Sequence, residues 1–154
     1  MKLVKVKQKF YDLCRENNVE NELLFNEKGR PCVLILKLRY KGDLRDFIVP
    51  LRSNISDRTL EWQYFALPPN PNTKPKHKHA IHYIKMFPIS KKYIDKYVVD
   101  NDEYYKRLIK IIDSNESKII SECQSYLDKC SDGKKHIMTP NLDGIIKVLD
   151  EDTE

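Results

Sequence analysis

Two side chains suited to binding a phosphate follow the apolar run FIVPLRSNIS, which spans Phe47 to Ser56. Arg52 carries a planar guanidinium whose paired N–H groups match the oxygens of a phosphate. Ser53 adds a hydroxyl, which is a weak nucleophile unless a neighbouring base activates it. Because Pro50 lacks an N–H, we expect the strand to end there and to leave Arg52 and Ser53 facing a ligand. The alternative is a serine that caps a turn beside a surface arginine.

Three histidines, His77, His79 and His82, lie further along the chain and raise the question of a metal. Structural zinc takes four converging ligands, commonly with cysteine or acidic partners at short spacing. No cysteine or acidic residue lies near these histidines, and lysines separate them. We therefore expect no metal site and interpret the histidines as loop residues or contacts to a bound RNA. Glycine-rich phosphate loops, HExxH and GxSxG are also absent, so no cofactor is expected.

The charges are unevenly distributed along the chain. The net charge is +5, yet four of the last five residues, 150–154, are acidic. No acidic residue lies between Glu61 and Asp95, a stretch that contains six lysines and three histidines. Lys2, Lys5 and Lys7 form part of a second basic group at the start of the chain. Such segregation favours a nucleic acid as partner, and the alternative is a lysine-rich surface that is simply solvated.

The elements that must position these residues follow from the periodicity of the apolar positions. Strands are predicted at 2–7, 32–40, 44–51 and 80–89, with a helix from 8 to 17 and an aromatic segment at 59–67. The proline-rich stretch 68–79 predicts an extended loop, either mobile or held against a ligand. A long helix is predicted from Asp102 to about Lys129, with a capping box formed by Asp100 and Glu103 and a break or bend between Ser114 and Ser117.

The order of these elements predicts an α+β fold with an antiparallel sheet in one domain, 1–154, whose last five residues form an acidic tail. No apolar run is long enough to cross a membrane, and the start of the chain lacks the apolar stretch of a signal peptide. The four cysteines are scattered, which is typical of reduced thiols in a cytoplasmic protein.

Several stretches resemble the ToxN/AbiQ family of type III toxin–antitoxin endoribonucleases. These stretches are KLVKVKQKFYDLCRE, RPCVLIL, FIVPLRS, IKMFPI and YYKRLIKIIDSNESKI, and they occur in the family's order. The resemblance implies a compact fold with a strongly bent antiparallel sheet and flanking helices, related to the Kid and MazF toxins. It also implies a role in abortive infection of phage-infected cells and cleavage of RNA that needs no metal and leaves a 2′,3′-cyclic phosphate.

The family's active-site serine follows a Pro-Leu-Thr pattern, which Pro50-Leu51-Arg52-Ser53 matches except that Arg52 replaces the threonine. Ile55 stands where family members often carry a lysine. Family members can also carry a tyrosine and a lysine on the two sides of the proline matched by Pro31. This chain has Lys28, Gly29, Arg30 and Cys32 there instead. By the resemblance Ser53 is catalytic. We further infer that the helpers are Arg52, Lys28 and Arg30, with His79 or His82 as proton-transfer groups.

We expect the 2′-hydroxyl of the RNA to be the nucleophile, held in line by Ser53 while Arg52 binds the phosphate. Aromatic and basic side chains are expected to grip unstacked bases and the backbone, although aromatic residues at these positions are equally typical of a core. The expected RNA contacts are Lys2, Lys5, Lys7, Tyr64, Lys74, Lys76, Lys78, Tyr83, Lys85, Lys106 and Arg107.

The resemblance implies two RNA partners and no membrane partner. One is a small non-coding antitoxin RNA, processed from a repeated precursor, that inhibits the toxin and joins it in an oligomeric assembly. The other is a cellular or phage mRNA as substrate. Two alternatives remain: an RNA-binding module without catalysis, in which Ser53 is dispensable, and an enzyme of another class that uses the histidines with a metal.

Overall fold

The computed structural model describes residues 1–25, 30–99 and 101–152, which form a seven-stranded antiparallel sheet between two sets of helices. The strands are β1 (Lys2–Val6), β2 (Cys32–Tyr40), β3 (Asp43–Ser56), β4 (Tyr64–Leu67), β5 (His77–His82), β6 (Phe87–Pro88) and β7 (Ile94–Lys96). The helices are α1 (Gln8–Glu16), α2 (Glu103–Ser114), α3 (Glu116–Ser131) and α4 (Leu142–Glu151). The strand order is β4-β5-β3-β2-β1-β7, and β6 pairs with β3.

Both faces of the central strands are buried, which explains why their sequences read as continuous apolar runs. On one face, Val33, Phe47 and Val49 pack in a cluster with residues of α2 and α3. On the opposite face, Cys32 and Ile48 pack in a second cluster with residues of α1 and α4. The alternation of Phe47, Ile48 and Val49 between the two clusters follows the two-residue period of a strand. The predicted α+β class with flanking helices is confirmed.

The strand predicted to end near Pro50 instead continues to Ser56. Pro50 is the last residue of β3 that pairs with β2, opposite Cys32. The next residue, Leu51, already pairs with Ile81 of β5, on the other side of β3. The prediction failed because β5, which comes later in the chain, takes over as the partner of β3 where the β2 ladder ends.

Two further boundaries differ from those predicted. The strand expected at 80–89 begins at His77, ends at His82 and is followed by a 3-10 turn, Tyr83–Lys85, and the short strand β6.

The long helix is interrupted at Asn115 and so forms α2 and α3, in agreement with the break predicted between Ser114 and Ser117. The cap of α2 is Asp102, whose carboxylate accepts hydrogen bonds from the backbone N–H groups of Tyr104 and Tyr105. Asp100, the cap expected from the sequence, lies outside the described residues.

The acidic C-terminal segment is held against the body of the protein as far as it is described. Asp150 accepts two hydrogen bonds of 2.8 Å from the guanidinium of Arg45. Asp152 lies 2.7 Å from the ammonium group of Lys92. The segment therefore neutralises basic groups on its own side of the molecule.

Candidate functional site

A β-bulge in β3 brings Arg52 and Ser53 to the site. Arg52 pairs with Ala80 and Ile55 pairs with Lys78, so Ser53 and Asn54 together lie opposite the single residue His79. A bulge of this kind bends the strand and redirects its side chains, and bulges often occur beside functional sites. The sequence placed Arg52 and Ser53 at a strand end, whereas the structure places them within a strand at an irregularity.

The proline-rich loop, residues 68–76, is fastened onto this bulge by asparagine side chains. The Asn70 side-chain amide donates to Ser53 Oγ at 2.9 Å. Asn54 Nδ2 donates to the carbonyl of Asn72 at 2.9 Å, and Asn54 Oδ1 accepts from the backbone N–H of Lys74 at 2.7 Å. The sequence predicted a loop that is either mobile or held against a ligand, whereas the structure fastens it to β3 of the same chain. Asn70 thereby fixes the position of the Ser53 hydroxyl.

Arg52 is partly buried and is oriented by His82. Its Nη1 donates to His82 Nδ1 across 3.2 Å. Because Nδ1 accepts this bond, the ring proton of the neutral imidazole lies on Nε2. Burial, followed by the positive charges of Arg52, Lys85 and His136, lowers the pKa of His82 to about 3. Burial and the charge of Arg30 also lower the pKa of the Arg52 guanidinium below its ordinary value. His82 is thus uncharged at neutral pH and supports the arginine.

His79 is also buried, and one of its ring nitrogens is anchored. Nδ1 lies 2.6 Å from the Tyr104 hydroxyl oxygen and 3.0 Å from the Pro68 carbonyl oxygen. The Tyr104 hydroxyl donates to the same carbonyl at 2.5 Å. A carbonyl can only accept and the tyrosine has one proton to give, so all three contacts are satisfied when Nδ1 carries the ring proton. The lone pair of the neutral imidazole then lies on Nε2.

The environment of His79 keeps it neutral as well as oriented. Burial lowers the pKa of His79 below its ordinary value, while the hydrogen bond to the Pro68 carbonyl acts in the opposite direction. A neutral imidazole with a fixed tautomer can accept a proton near neutral pH.

Arg52, Ser53 and His79 line one pocket of about 390 Å³. Arg30 contributes a second guanidinium, and within the described residues its Nε is buried without a hydrogen-bond partner. Tyr97 and Tyr105 form an aromatic side, with ring centroids 5.3 Å apart. Lys28, which was expected to help, lies outside the described residues. The pocket is lined by Arg30, Pro31, Leu51, Arg52, Ser53, Asn54, Asn70, Asn72, His79, Tyr97 and Tyr105.

The structure thus brings together four of the predicted catalytic residues and corrects the role of a fifth. Arg52, Ser53, Arg30 and His79 share the pocket. His82 does not line it, and with Nδ1 bonded to Arg52 and a pKa of about 3 it is not suited to move a proton at neutral pH. Its position on β5 explains the difference, because His82 and His79 are three residues apart and so project from opposite faces of the strand.

Some of the predicted RNA contacts are buried, which corrects those assignments. Tyr83 is completely buried, and its hydroxyl donates to Glu122 at 3.3 Å. Lys85 is also buried, with its ammonium group 3.1 Å from a carboxylate oxygen of Glu22. Tyr64 is buried too, and its hydroxyl accepts a hydrogen bond of 2.8 Å from Lys78. Both tyrosines belong to the core clusters, so their rings pack mainly against other side chains of the protein.

The other predicted RNA contacts lie at the surface but are spread over several parts of it. Lys74 and Lys76 are exposed on the proline-rich loop, and Lys106 and Arg107 are exposed on α2. Lys78 is half-buried on β5. Lys2 is exposed and Lys5 is half-buried on β1, and Lys7, between β1 and α1, is also half-buried. Lys7 lies 3.8 Å from Asp95 and Lys106 lies 3.4 Å from Glu103, so neighbouring acids partly offset these two charges.

Within the described ranges, no group of three or more histidine, cysteine or acidic side chains is placed to hold a metal ion. Cys14, Cys32, Cys123 and Cys130 are all buried and free. Over the same ranges, no helix is both long and apolar enough to span a membrane.

Several residues of the site were missed by the sequence interpretation. Asn70 and Asn54 fasten the loop, Tyr104 anchors His79, and Tyr97 and Tyr105 line the pocket. The motif PNPNT, Pro69 to Thr73, carried a signal, since asparagines between prolines are typical of turns with side-chain hydrogen bonds. The three tyrosines carried none, because they approach the site from segments that are distant in sequence.

No family model matches the chain, and no curated protein matches it. Solved structures with the same fold do exist. One comes from work on a processed non-coding RNA that regulates a bacterial antiviral system. It is 19% identical, covers 100% of both chains and has a TM-score of 0.70. Another comes from work on bacterial type III toxin–antitoxin systems and selective toxin inhibition by a non-coding RNA pseudoknot. It is 18% identical, covers 97% of this chain and 96% of that chain, and has a TM-score of 0.71.

These matches extend over essentially the whole chain, so the α+β sheet and helices described above form the fold of those structures. The resemblance to type III toxin–antitoxin proteins is thereby confirmed at the level of the fold.

Proposed function

We propose that this chain is an endoribonuclease toxin of a type III toxin–antitoxin system, and that the pocket around Ser53 is its active site. The observation that carries the proposal is the meeting of Ser53, Arg52 and a neutral, anchored His79 in one pocket. The shared fold with structures from RNA-regulated bacterial systems supports the choice of RNA as substrate.

His79 is the general base of the proposed reaction. Its Nδ1–H is held by Tyr104 and Pro68, which leaves the Nε2 lone pair to take the proton of a 2′-hydroxyl. A positioned base of this kind accelerates proton transfer by about 10²- to 10⁴-fold. His79 thus provides what the serine lacks, because no base lies within hydrogen-bonding distance of Ser53 Oγ among the described residues; its partner there is the Asn70 amide.

The 2′-oxygen attacks phosphorus and the bond from phosphorus to the 5′-oxygen breaks, which leaves a 2′,3′-cyclic phosphate. The 2′-proton passes to His79, and the departing 5′-oxygen takes a proton from water. Arg52 and Arg30 bind the non-bridging oxygens, where negative charge accumulates. Ser53 hydrogen-bonds the 2′-hydroxyl or the phosphate and holds the attacking and leaving oxygens in line. Every group in this proposed scheme is a protein side chain, the RNA or water, so the scheme requires no metal.

Cleavage of single-stranded RNA in the presence of excess EDTA tests the proposal. We expect the purified wild-type protein to cut the RNA and Ser53→Ala to lose most of this activity while retaining its thermal stability and RNA affinity. Ser56→Ala is the matched control, because Ser56 lies on the same strand and does not line the pocket. A Ser53→Ala variant that cuts as fast as the wild type would refute the assignment of the site.

A non-catalytic RNA-binding module is the second candidate, and Ile55 favours it. Ile55, which stands where the resembled family often has a lysine, is buried in a small cluster with Tyr64 and Ala80. Among the described residues, the pocket therefore obtains its positive charge from Arg52 and Arg30. The EDTA assay separates the two candidates, since a binding module would cut no RNA under any condition.

The partners we propose are a cellular or phage mRNA as substrate and a small non-coding antitoxin RNA as inhibitor, joined with the protein in an oligomeric assembly. An RNA that covers the pocket would block it, and the exposed Lys74 of the proline-rich loop lies next to it, since its backbone N–H bonds to the pocket residue Asn54. We expect the protein to co-purify with one such RNA. A protein that purifies free of RNA, and that scrambled RNA inhibits as well as the cognate RNA, would contradict this part of the proposal.

A further inference from the structure

A long groove of about 870 Å³ adjoins the proposed active site and has more than twice its volume. It runs along β1 and β7 at the edge of the sheet and extends to α2. Its walls combine apolar side chains with lysines, and Val98 remains 60% exposed there although it is apolar. The residues that matter below are Lys2, Lys91, Lys96, Tyr97 and Val98.

The charges of the groove have one sign. Lys2, Lys91 and Lys96 line it and are exposed, and none of its described lining residues is acidic. Asp95 of β7 is paired with Lys7 at 3.8 Å and does not line the groove. Three exposed lysines beside apolar lining residues, with no acid among the described lining residues, suit a ligand with a regular series of negative charges and flat apolar groups, which describes single-stranded nucleic acid.

Tyr97 connects the groove to the pocket because it lines both. Its ring packs on Tyr105, which belongs to the pocket alone, with centroids 5.3 Å apart. A strand whose scissile phosphate lies between Arg52 and Ser53 can therefore pass over the tyrosines into the groove without leaving the protein surface.

We propose that this groove binds the single-stranded continuation of the RNA held in the pocket. Lys2, Lys91 and Lys96 contact successive phosphates, and Tyr97 carries a base on its ring. The proposal rests on the proposed function for its choice of RNA. A peptide strand added to β7 is the competing occupant, but β7 offers only three residues for pairing and lies among lysines.

The test measures affinity as a function of RNA length in the Ser53→Ala background, where the RNA stays intact. One oligonucleotide of about four nucleotides fills the pocket, and others of about twelve extend from either end, within the range of site sizes for single-strand binding. We expect one of the extended RNAs to bind more tightly than the short one. The change Lys2→Gln/Lys91→Gln/Lys96→Gln should remove that gain and leave the affinity for the short RNA unchanged.

Salt dependence gives a second readout. Each lost phosphate contact should reduce the slope of log affinity against log salt by about 0.7, so the triple variant should lose about two units of slope on the extended RNA. The matched control is Lys134→Gln/Lys135→Gln/Lys147→Gln, which removes the same charge from exposed lysines that do not line the groove. Val98→Glu, which adds a negative charge and keeps every lysine, should also weaken only the extended RNA, whereas Val98→Gln should not.

The proposal is overturned if the groove variants bind extended RNA as tightly as their controls do. A different set of results would show that the proposed endoribonuclease function is wrong. In that case the protein with Ser53 intact cuts no RNA, while the groove variants still lose their affinity for the extended RNA.

Discussion

His79 is held at Nδ1, which leaves the lone pair of the neutral ring on Nε2, and this asymmetry is the residue-scale basis of the proposed reaction. Tyr104 reaches it from α2 and Pro68 from the start of the proline-rich loop. A histidine free to rotate would spend part of its time in the wrong orientation or the wrong tautomer. Tyr104 is accordingly a positioning residue, since it acts on the RNA only through the imidazole.

Cleavage should depend on pH through His79. A protonated imidazole cannot accept the 2′-proton, so the rate should fall as pH drops through the pKa of His79. Because burial lowers that pKa, the fall should begin at a lower pH than for an exposed histidine. His79→Gln should reduce the rate by about 10²- to 10⁴-fold and abolish this pH-dependent limb. Pre-steady-state cleavage rates between pH 4.5 and 8 measure both.

Two further variants test whether Tyr104 positions His79 or serves only to stabilise the fold. Tyr104→Phe should lower the maximal rate, leave RNA affinity unchanged and shift the acidic limb of the profile. His77→Gln is the control, because His77 lies on the same strand as His79 and is exposed, and its ring Nδ1 contacts the nearby Pro75 carbonyl. A Tyr104→Phe profile identical to that of the wild type would remove Tyr104 from the mechanism.

Arg52 is the second residue-scale prediction. Arg52→Ala should slow cleavage by about 10- to 10³-fold through loss of a donor to the phosphate. Arg52→Lys should recover part of this rate, because an ammonium group retains the charge but cannot form the bidentate contact. Arg58→Ala, at an exposed arginine that does not line the pocket, is the control for general loss of positive charge. Single-turnover cleavage rates on a short RNA test this prediction. An Arg52→Ala rate equal to the wild-type rate would contradict the role of Arg52 as a phosphate ligand.

At the scale of elements, the site depends on the junction of β3, β5 and the loop that precedes β5. The bulge turns Ser53 toward the pocket, and Asn70 holds both the loop and the serine. The side-chain oxygen Oδ1 of Asn70 also accepts from the Asn72 backbone N–H at 2.8 Å and from the Thr73 hydroxyl at 3.2 Å. One side chain thus carries three of the hydrogen bonds that shape the loop.

Asn70→Ala should both loosen this loop and slow the cleavage of RNA by the protein. Each lost hydrogen bond is worth about 0.5–1.5 kcal/mol, so local opening should become at least several-fold more frequent. We expect faster trypsin cleavage after Lys76; the bond after Lys74 is a poor site, because Pro75 follows it. Asn72→Ala is a closely matched control, since the hydrogen bonds of Asn72 named here come from its main chain. Equal proteolysis of the two variants would show that Asn70 does not hold the loop.

The elements that could be predicted from the sequence are those whose signals are local. The bounds of β2 follow from an apolar run between Pro31 and the turn at Gly42, and α1 follows from helical spacing. The extension of β3 past Pro50 could not be predicted, because its partner β5 follows a loop of prolines that carries no pairing signal. The bulge at Ser53 is likewise a property of two strands together.

The same distinction applies to the candidate site. Arg52, Ser53 and His79 could be proposed because their residue types suggest chemistry on their own. Tyr104 and Asn70 act through contacts with these residues, and such contacts exist only in the folded chain. Tyr83 and Lys85 looked like ligands for RNA, yet tertiary packing buries them, since the 3-10 turn after β5 directs them into the interior.

At the scale of the whole molecule, the folded chain separates its charges. The acidic C-terminal segment pairs with Arg45 and Lys92, while the lysines of the groove face no described acid along its walls. The pocket lies between the proline-rich loop and this groove, so a polyanion attracted to the basic surface passes the site. The central claim that follows is that this pocket cuts RNA by using the RNA's own 2′-hydroxyl.

The most direct test compares two oligonucleotides of identical sequence in excess EDTA, one of RNA and one with a 2′-O-methyl group at every position. The account predicts that the protein binds both and cuts only the RNA, with a 2′,3′-cyclic phosphate on the upstream product. Cleavage of the 2′-O-methyl oligonucleotide, or cleavage of RNA that occurs only after a divalent metal is added, would contradict it.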